Sequence, residues 1–112
     1  MEMSSYEPPF TVRVAQVGDG SVRVHVKGEL DLSTSPEFDQ ALRQEIDAGK
    51  RVVVDLSEIA FIDSTGLNTL IGALRACESN GGMLMVSPTM PAQVQRVFEI
   101  TGLNKVLPIA AD

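Results

Sequence analysis

This 112-residue sequence has no tryptophan, one tyrosine, four phenylalanines, one histidine and one cysteine. With so few aromatics, a core drawn from the 44% of hydrophobic residues must be aliphatic. A lone Cys77 can close no internal disulfide and offers no metal-ligand spacing. Its place on an apolar helical stripe predicts a buried thiol rather than a reactive one. No apolar run approaches the ~20 residues needed to cross a bilayer. Residues 1–9 lack the basic start and apolar stretch of a secretory signal, and they read as a short flexible lead-in. Positive charge is also scarce: nine Lys and Arg stand against 15 Asp and Glu, a formal net charge of −6. That balance argues against nucleic acid and anionic membranes, since both attract basic patches. The absences predict one cytoplasmic domain over residues 10–109, with 110–112 as a tail.

Two alternating runs come first, Phe10 to Val17 and Val22 to Lys27, separated by Gly18-Asp19-Gly20. They read as a hairpin with Val12, Val14, Val22, Val24 and Val26 on one face. Arg13, Arg23, His25 and Lys27 form the other face, which should be wet. Gly28-Glu29-Leu30-Asp31-Leu32 then leads into a helix start that can be read in two ways. Thr34 with Glu37 fits a capping box, and Ser35 before Pro36 fits a cap followed by a first-turn proline. Phe38, Ala41, Leu42 and Ile46 give that helix a core face, and Gly49 is a good stop.

The run Val52-Val53-Val54-Asp55-Leu56 predicts a central strand with parallel neighbours. The stretch Phe61-Ile62-Asp63-Ser64-Thr65-Gly66-Leu67 follows it and opens the cleanest helical pattern, with Leu67, Leu70, Ile71, Leu74 and Cys77 at helical spacing. A hydroxyl pair therefore sits where a loop leaving a buried strand becomes a helix N-terminus. Unpaired backbone amides and the helix dipole favour negative charge there. After Asn80-Gly81-Gly82, Met83 to Val86 reads as another buried strand. A third helix carries Val94, Val97, Phe98 and Thr101 on one face and ends at Gly102. Val106-Leu107-Pro108-Ile109 suits an edge strand or a terminal segment. The fold class is α/β: a mixed sheet of four to five strands with helices packed on it.

Enzyme sites fit poorly. Gly18-Asp19-Gly20 lacks the Lys-Ser/Thr and the helix of a phosphate-binding loop. Ser64 is not in a Gly-x-Ser-x-Gly elbow, and the only histidine, His25, lies in the solvated row of a strand with no evident partner. Asp-Ser-Thr-Gly differs from an aspartic-protease loop, and no second copy exists. Asp31, Asp55 and Asp63 fall near strand ends, but no lysine matches a phosphoacceptor site with Mg²⁺. Asp63 is more simply a helix cap. No catalytic residue, metal or cofactor is expected. On the second helix Asn68, Thr69, Gly72, Ala76 and Ser79 are small or polar, opposite the Leu67/Leu70/Ile71/Leu74 stripe. Gly72 costs ~1 kcal/mol against alanine in a helix. Close approach by a partner, or close packing within the domain, could each offset that.

Val52 to Leu56 followed by Phe61 to Leu67 resembles the signature of STAS-domain anti-sigma factor antagonists. The likeness reaches back to Gly28-Glu29-Leu30-Asp31 and forward through Gly81-Gly82-Met83-Leu84 to Val97-Phe98-Glu99-Ile100-Thr101-Gly102-Leu103. It covers nearly everything from Phe10 to Ile109. The resemblance implies a single STAS domain acting in bacterial partner switching. In such systems an unphosphorylated antagonist binds an anti-sigma factor that is also an ATP-dependent GHKL-type serine kinase, and sigma factor is released. The resemblance implies phosphorylation at Ser64, with Thr65 a secondary acceptor, to undo the complex; a metal-dependent serine phosphatase resets it. It implies contact with the partner at Asp31, Asp63, Ser64, Thr65 and Gly66, continuing to Asn68, Thr69 and Gly72. Asn68 departs from the glycine of many members. Two other classes remain: a STAS-type scaffold subunit of a signalling or transport-associated complex, and an enzyme or nucleotide binder using the Asp31/Asp55/Asp63 corner. A monomer or weak homodimer is expected.

Overall fold

Alternation of Val22, Val24 and Val26 with Arg23, His25 and Lys27 is the pattern of a strand that buries one side. In the computed structural model, which describes residues 9–110, the hairpin is present as β1 (Phe10–Gln16) and β2 (Ser21–Leu30). Residues 1–8 of the expected lead-in and 111–112 of the expected tail lie outside the described residues. The helix α1 (Ser35–Asp47) follows, then β3 (Arg51–Ile62), α2 (Ser64–Ser79), β4 (Leu84–Val86) and α3 (Ala92–Thr101). One 3₁₀ turn, Leu103–Lys105, comes after α3.

The four strands lie in the order β1-β2-β3-β4. Antiparallel pairing joins β1 to β2, while β2, β3 and β4 run parallel. Crossovers of one hand between strands taken in sequential order place their helices on one side of the sheet. Accordingly α1 and α2 pack on each other, and Phe38, Leu42 and Ile46 of α1 join Leu67, Leu70, Ala73 and Leu74 of α2 in one core. Val22, Val24, Val26, Val52, Val54 and Leu56 supply the sheet side of that core, and Val94 and Phe98 bring α3 into it. Cys77 is buried, as its place in the stripe predicts, and burial followed by the charge of Glu78 raises its thiol pKa.

Three boundaries differ from the sequence reading. First, β3 does not stop at Leu56 but runs to Ile62. Two register shifts on β2, at His25/Lys27 and Gly28/Glu29, each give β3 an extra residue. They turn the buried series into Leu56, Ile59 and Ile62, a spacing that alternation cannot reveal. Second, Met83 is exposed and β4 has only three residues. Third, no fifth strand forms among the described residues: Ile109 makes a single parallel bridge to Val86.

At the start of α1 neither expected cap forms. Thr34 is the N-cap residue but makes no side-chain cap bond, because its hydroxyl donates to the Glu29 carbonyl (2.8 Å) and accepts from the Asp31 amide (2.9 Å). The Asp31 carboxylate serves this turn instead, accepting from the amides of Ser33 (3.0 Å) and Thr34 (3.2 Å).

Candidate functional site

The parallel pairing of Leu30 with Ile62 brings the carboxyl ends of β2 and β3 side by side. Beyond each end the chain turns into a helix, so the N-termini of α1 and α2 open on the same edge of the sheet. Ligands of open α/β sheets meet this edge, because only turns and helix starts lie there. The junction into α2 is one residue long: Asp63, extended at φ −113° and ψ −173°. Its amide donates to the Leu30 carbonyl (3.2 Å), tying the junction to β2. Its Oδ1 accepts from the Gly66 amide (3.1 Å), the cap expected from the sequence.

Ser64 is the first residue of α2 and is exposed. Its hydroxyl has no hydrogen-bond partner among the described residues. Thr65 is half-buried, and its carbonyl accepts from the Thr69 hydroxyl (3.0 Å), which occupies that side chain within the helix. Asn68 is exposed one turn beyond Ser64, on the same helix face. Gly66 is buried. A Cβ there would lie 2.8 Å from Leu30 Cγ and 3.0 Å from both Ile62 Cγ1 and the Leu30 carbonyl oxygen. Glycine lets the first turn of α2 rest directly on the two strand ends. At Gly72, which is half-buried, a Cβ would meet Arg43 Nη2 of α1 at 3.3 Å.

Asp31 sits one residue past Leu30, next to the Asp63 junction. The Ser33 hydroxyl donates to its Oδ1 (2.8 Å). That bond, with the amides of Ser33 and Thr34, outweighs desolvation and holds the carboxyl below its ordinary range. Leu32, beside it, is 74% exposed, and Phe61, three residues before Ser64, is 48% exposed. A recess of about 390 Å³ is lined in part by Phe10, Glu29, Asp31, Ser33 and Ala60. Sequence reasoning passed over Leu32 and Phe61. For Leu32 the available signal was an isolated apolar residue inside the polar run Asp31 to Ser35.

Asp55 does not join Asp31 and Asp63. It lies mid-strand on the opposite sheet face, where Arg23 Nη1 (3.2 Å) and His25 Nδ1 (3.3 Å) approach its Oδ2. Burial raises the pKa of Asp55, but hydrogen bonds from Ser57 and then His25 more than offset it and the net shift is downward. His25 Nε2 also meets Glu58 Oε1 at 2.6 Å. The histidine thus has two carboxylate partners where the sequence suggested none, because register sets His25 opposite Asp55. Among the described residues no group of three His, Cys, Asp or Glu could hold a metal ion. No helix there is long and apolar enough to cross a membrane.

Residues 14–108 match a family model described as "Mlab, STAS domain". The anti-sigma-B factor antagonist of Staphylococcus aureus (strain NCTC 8325 / PS 47) is 36% identical over 90 residues, covering 80% of this chain and 82% of that protein. An anti-sigma factor antagonist from Mycobacterium paratuberculosis has a similar crystal structure, with a TM-score of 0.77 and 29% identity over 92% of this chain and 86% of that one. The Bacillus cell fate determinant SpoIIAA in its phosphorylated form shares the fold at a TM-score of 0.68 and 20% identity, covering 91% and 93% of the two chains.

Proposed function

The chain belongs to the STAS domain family, and on that premise we propose that it is an anti-sigma factor antagonist switched by phosphorylation at Ser64. The unphosphorylated protein binds an anti-sigma factor with serine kinase activity and releases the sigma factor it held. The kinase transfers the γ-phosphoryl group of ATP to Ser64: an Oγ–P bond forms, the bond to the β-phosphate breaks, ADP leaves, and the hydroxyl proton passes to a base. The complex then separates. A metal-dependent serine phosphatase restores the hydroxyl. The protein acts in the cytoplasm as a substrate and binding partner, not as an enzyme.

One observation carries this reading. Ser64 is exposed at the first position of a 16-residue helix, one residue beyond a central strand, and its hydroxyl has no partner among the described residues. A kinase can reach it without unfolding anything. Phosphate adds about −1.5 to −2 charges. Asp63 directly precedes the position and Asp31 follows the neighbouring strand end, so a partner covering this edge must accommodate all three negative groups. A loss of ~3 kcal/mol would weaken binding roughly a hundredfold, which is enough for a switch.

The test is intact mass after incubation with each GHKL-type serine kinase of the host and Mg-ATP, comparing wild type with Ser64→Ala. A gain of one phosphate in wild type alone, with loss of kinase binding, supports the switch. A stable complex that takes no phosphate would leave a binding antagonist under other control. Failure to bind any such kinase would favour a scaffold subunit instead.

A further inference from the structure

A sheet in the order β1-β2-β3-β4 has two edges, and a bare edge is a template for another strand. The two edges here differ. β4 is only three residues long, and the segment after α3 lies along it: the Val86 amide donates to the Pro108 carbonyl (2.8 Å) and the Val86 carbonyl accepts from the Ala110 amide (2.8 Å). β1 has neither protection. It spans seven residues, contains no proline or glycine, and pairs with β2 without a register shift. Among the described residues no strand or isolated bridge pairs with its outer side.

That outer side carries a defined set of backbone groups. The Val17 amide donates to the Ser21 carbonyl (2.8 Å), and in an antiparallel ladder the residues that bond to the neighbour alternate. Arg13 and Ala15 therefore turn their amides and carbonyls to β2, while Val12, Val14 and Gln16 turn theirs outward. Side chains follow the pairing: Val14 stands opposite the buried Val24, on the helix side, and Arg13 stands opposite His25, on the open face. Val14 is nonetheless 41% exposed and Val17 43%, the two large apolar side chains that the hairpin leaves to solvent.

We propose that β1 is a homodimerisation edge: a second copy of this chain adds its own β1 antiparallel, about a two-fold axis at Val14. Val14 then faces Val14 of the second copy. Val12 faces Gln16 of the copy and Gln16 faces Val12, so the outward groups exchange about six N–H···O bonds. On the open face Arg13 falls opposite Ala15 of the copy, so no like charges meet. Val17 comes to lie beside Thr11 of the copy, and both exposed valines enter the contact. Centring the pair on Arg13 would oppose two arginines, and centring it on Val12 would leave Val17 bare. An unrelated strand would have to supply this match, whereas a second copy has it by symmetry. The axis is perpendicular to the sheet, so both helix layers lie on one side and the two Ser64 edges point in opposite directions. Ser64 follows β3, two strands in from this edge, and the dimer leaves it open whatever its role.

The experiment is sedimentation velocity of the full chain over a range of concentrations, with amide hydrogen exchange measured at the lowest and the highest. Wild type is expected to pass from monomer to dimer. The amides of Val12, Val14 and Gln16 should gain protection with concentration, while those of Arg13 and Ala15, already bonded to β2, should not change. Val14→Pro removes an outward N–H and no bond of the β1–β2 ladder, so it should weaken dimerisation about tenfold or more with an unchanged circular dichroism spectrum. Val14→Arg asks nothing new of the backbone and sets two cations face to face on the axis, with the same expected result. Ile100→Ala, on α3, should self-associate within about twofold of wild type. A wild type that stays monomeric at every concentration, or assembles beyond a dimer, overturns the proposal. So does a dimer that survives both Val14 substitutions, or one that forms without protecting the Val14 amide.

Discussion

Replacing Gly66 with alanine tests whether the site depends on close contact between α2 and the strand ends. The added Cβ would meet Leu30 Cγ at 2.8 Å, Ile62 Cγ1 at 3.0 Å and the Leu30 carbonyl oxygen at 3.0 Å. The side-chain atoms could shift, but the carbonyl is backbone and already accepts from the Asp63 amide at 3.2 Å. Overpacking of this kind costs about 1–3 kcal/mol. Alanine returns at most ~1 kcal/mol of helix propensity, less in a first turn. The expected net loss is about 1–2 kcal/mol, or a fall in Tm of roughly 5–10 °C for a chain of this size. Gly72→Ala is the contrast. Its Cβ meets only Arg43 Nη2, the free end of a flexible side chain, at 3.3 Å. That variant should match or exceed wild type by up to ~1 kcal/mol. Urea unfolding of both, with m-values compared, separates the cases. A Gly66→Ala protein as stable as wild type would refute the claim that α2 rests on the strands through this glycine.

Two further expectations concern polar groups elsewhere on α1 and its approach. Ser35 is 3% exposed and its hydroxyl has no hydrogen-bond partner among the described residues, so Ser35→Ala should stabilise the domain by about 1 kcal/mol; a clear loss in urea midpoint would mean that the hydroxyl is satisfied. Asp31 has a folded pKa lowered chiefly by the Ser33 hydroxyl, so its contribution is present above the ordinary value of 3.8 and is lost as pH falls through the folded value. Wild type should therefore lose more stability than Asp31→Asn between about pH 5 and about pH 2. Parallel acid profiles of the two proteins would count against that role.

The fold was legible where burial follows a simple period. Val22, Val24 and Val26 marked β2 by alternation, and Leu67, Leu70, Leu74 and Cys77 marked α2 by helical spacing. The reading failed where pairing sets the pattern. β3 looked finished at Leu56 because its two extra residues break alternation, and those residues are visible only against β2. His25 looked partnerless for the same reason, since Asp55 and Glu58 reach it only through register. The cap at Asp63 could be read locally because its bond to Gly66 spans three residues. The caps proposed for α1 could not, since the Thr34 hydroxyl is drawn away to Glu29 and Asp31. The exposure of Leu32 and Phe61 is the harder case: Leu32 stands out locally as an isolated apolar residue in a polar run, but nothing local marks Phe61, because exposure is a property of the whole fold.

The same geometry explains how a charge could end an interaction without endangering the protein. Ser64 points away from the core, while its neighbours Gly66 and Leu67 are buried against the strands. The bond from the Gly66 amide to Asp63 does not involve the Ser64 side chain. Phosphate at Ser64 therefore removes no internal hydrogen bond and fills no internal space. The N-terminal end of the α2 dipole offsets part of its repulsion from Asp63 and Asp31. In the proposed complex the same phosphate would be deprived of water, where an uncompensated charge is far more costly. On the proposed reading, the free domain would bear the charge in solvent and the complex would bear it without solvent, and that difference would turn one hydroxyl into a switch.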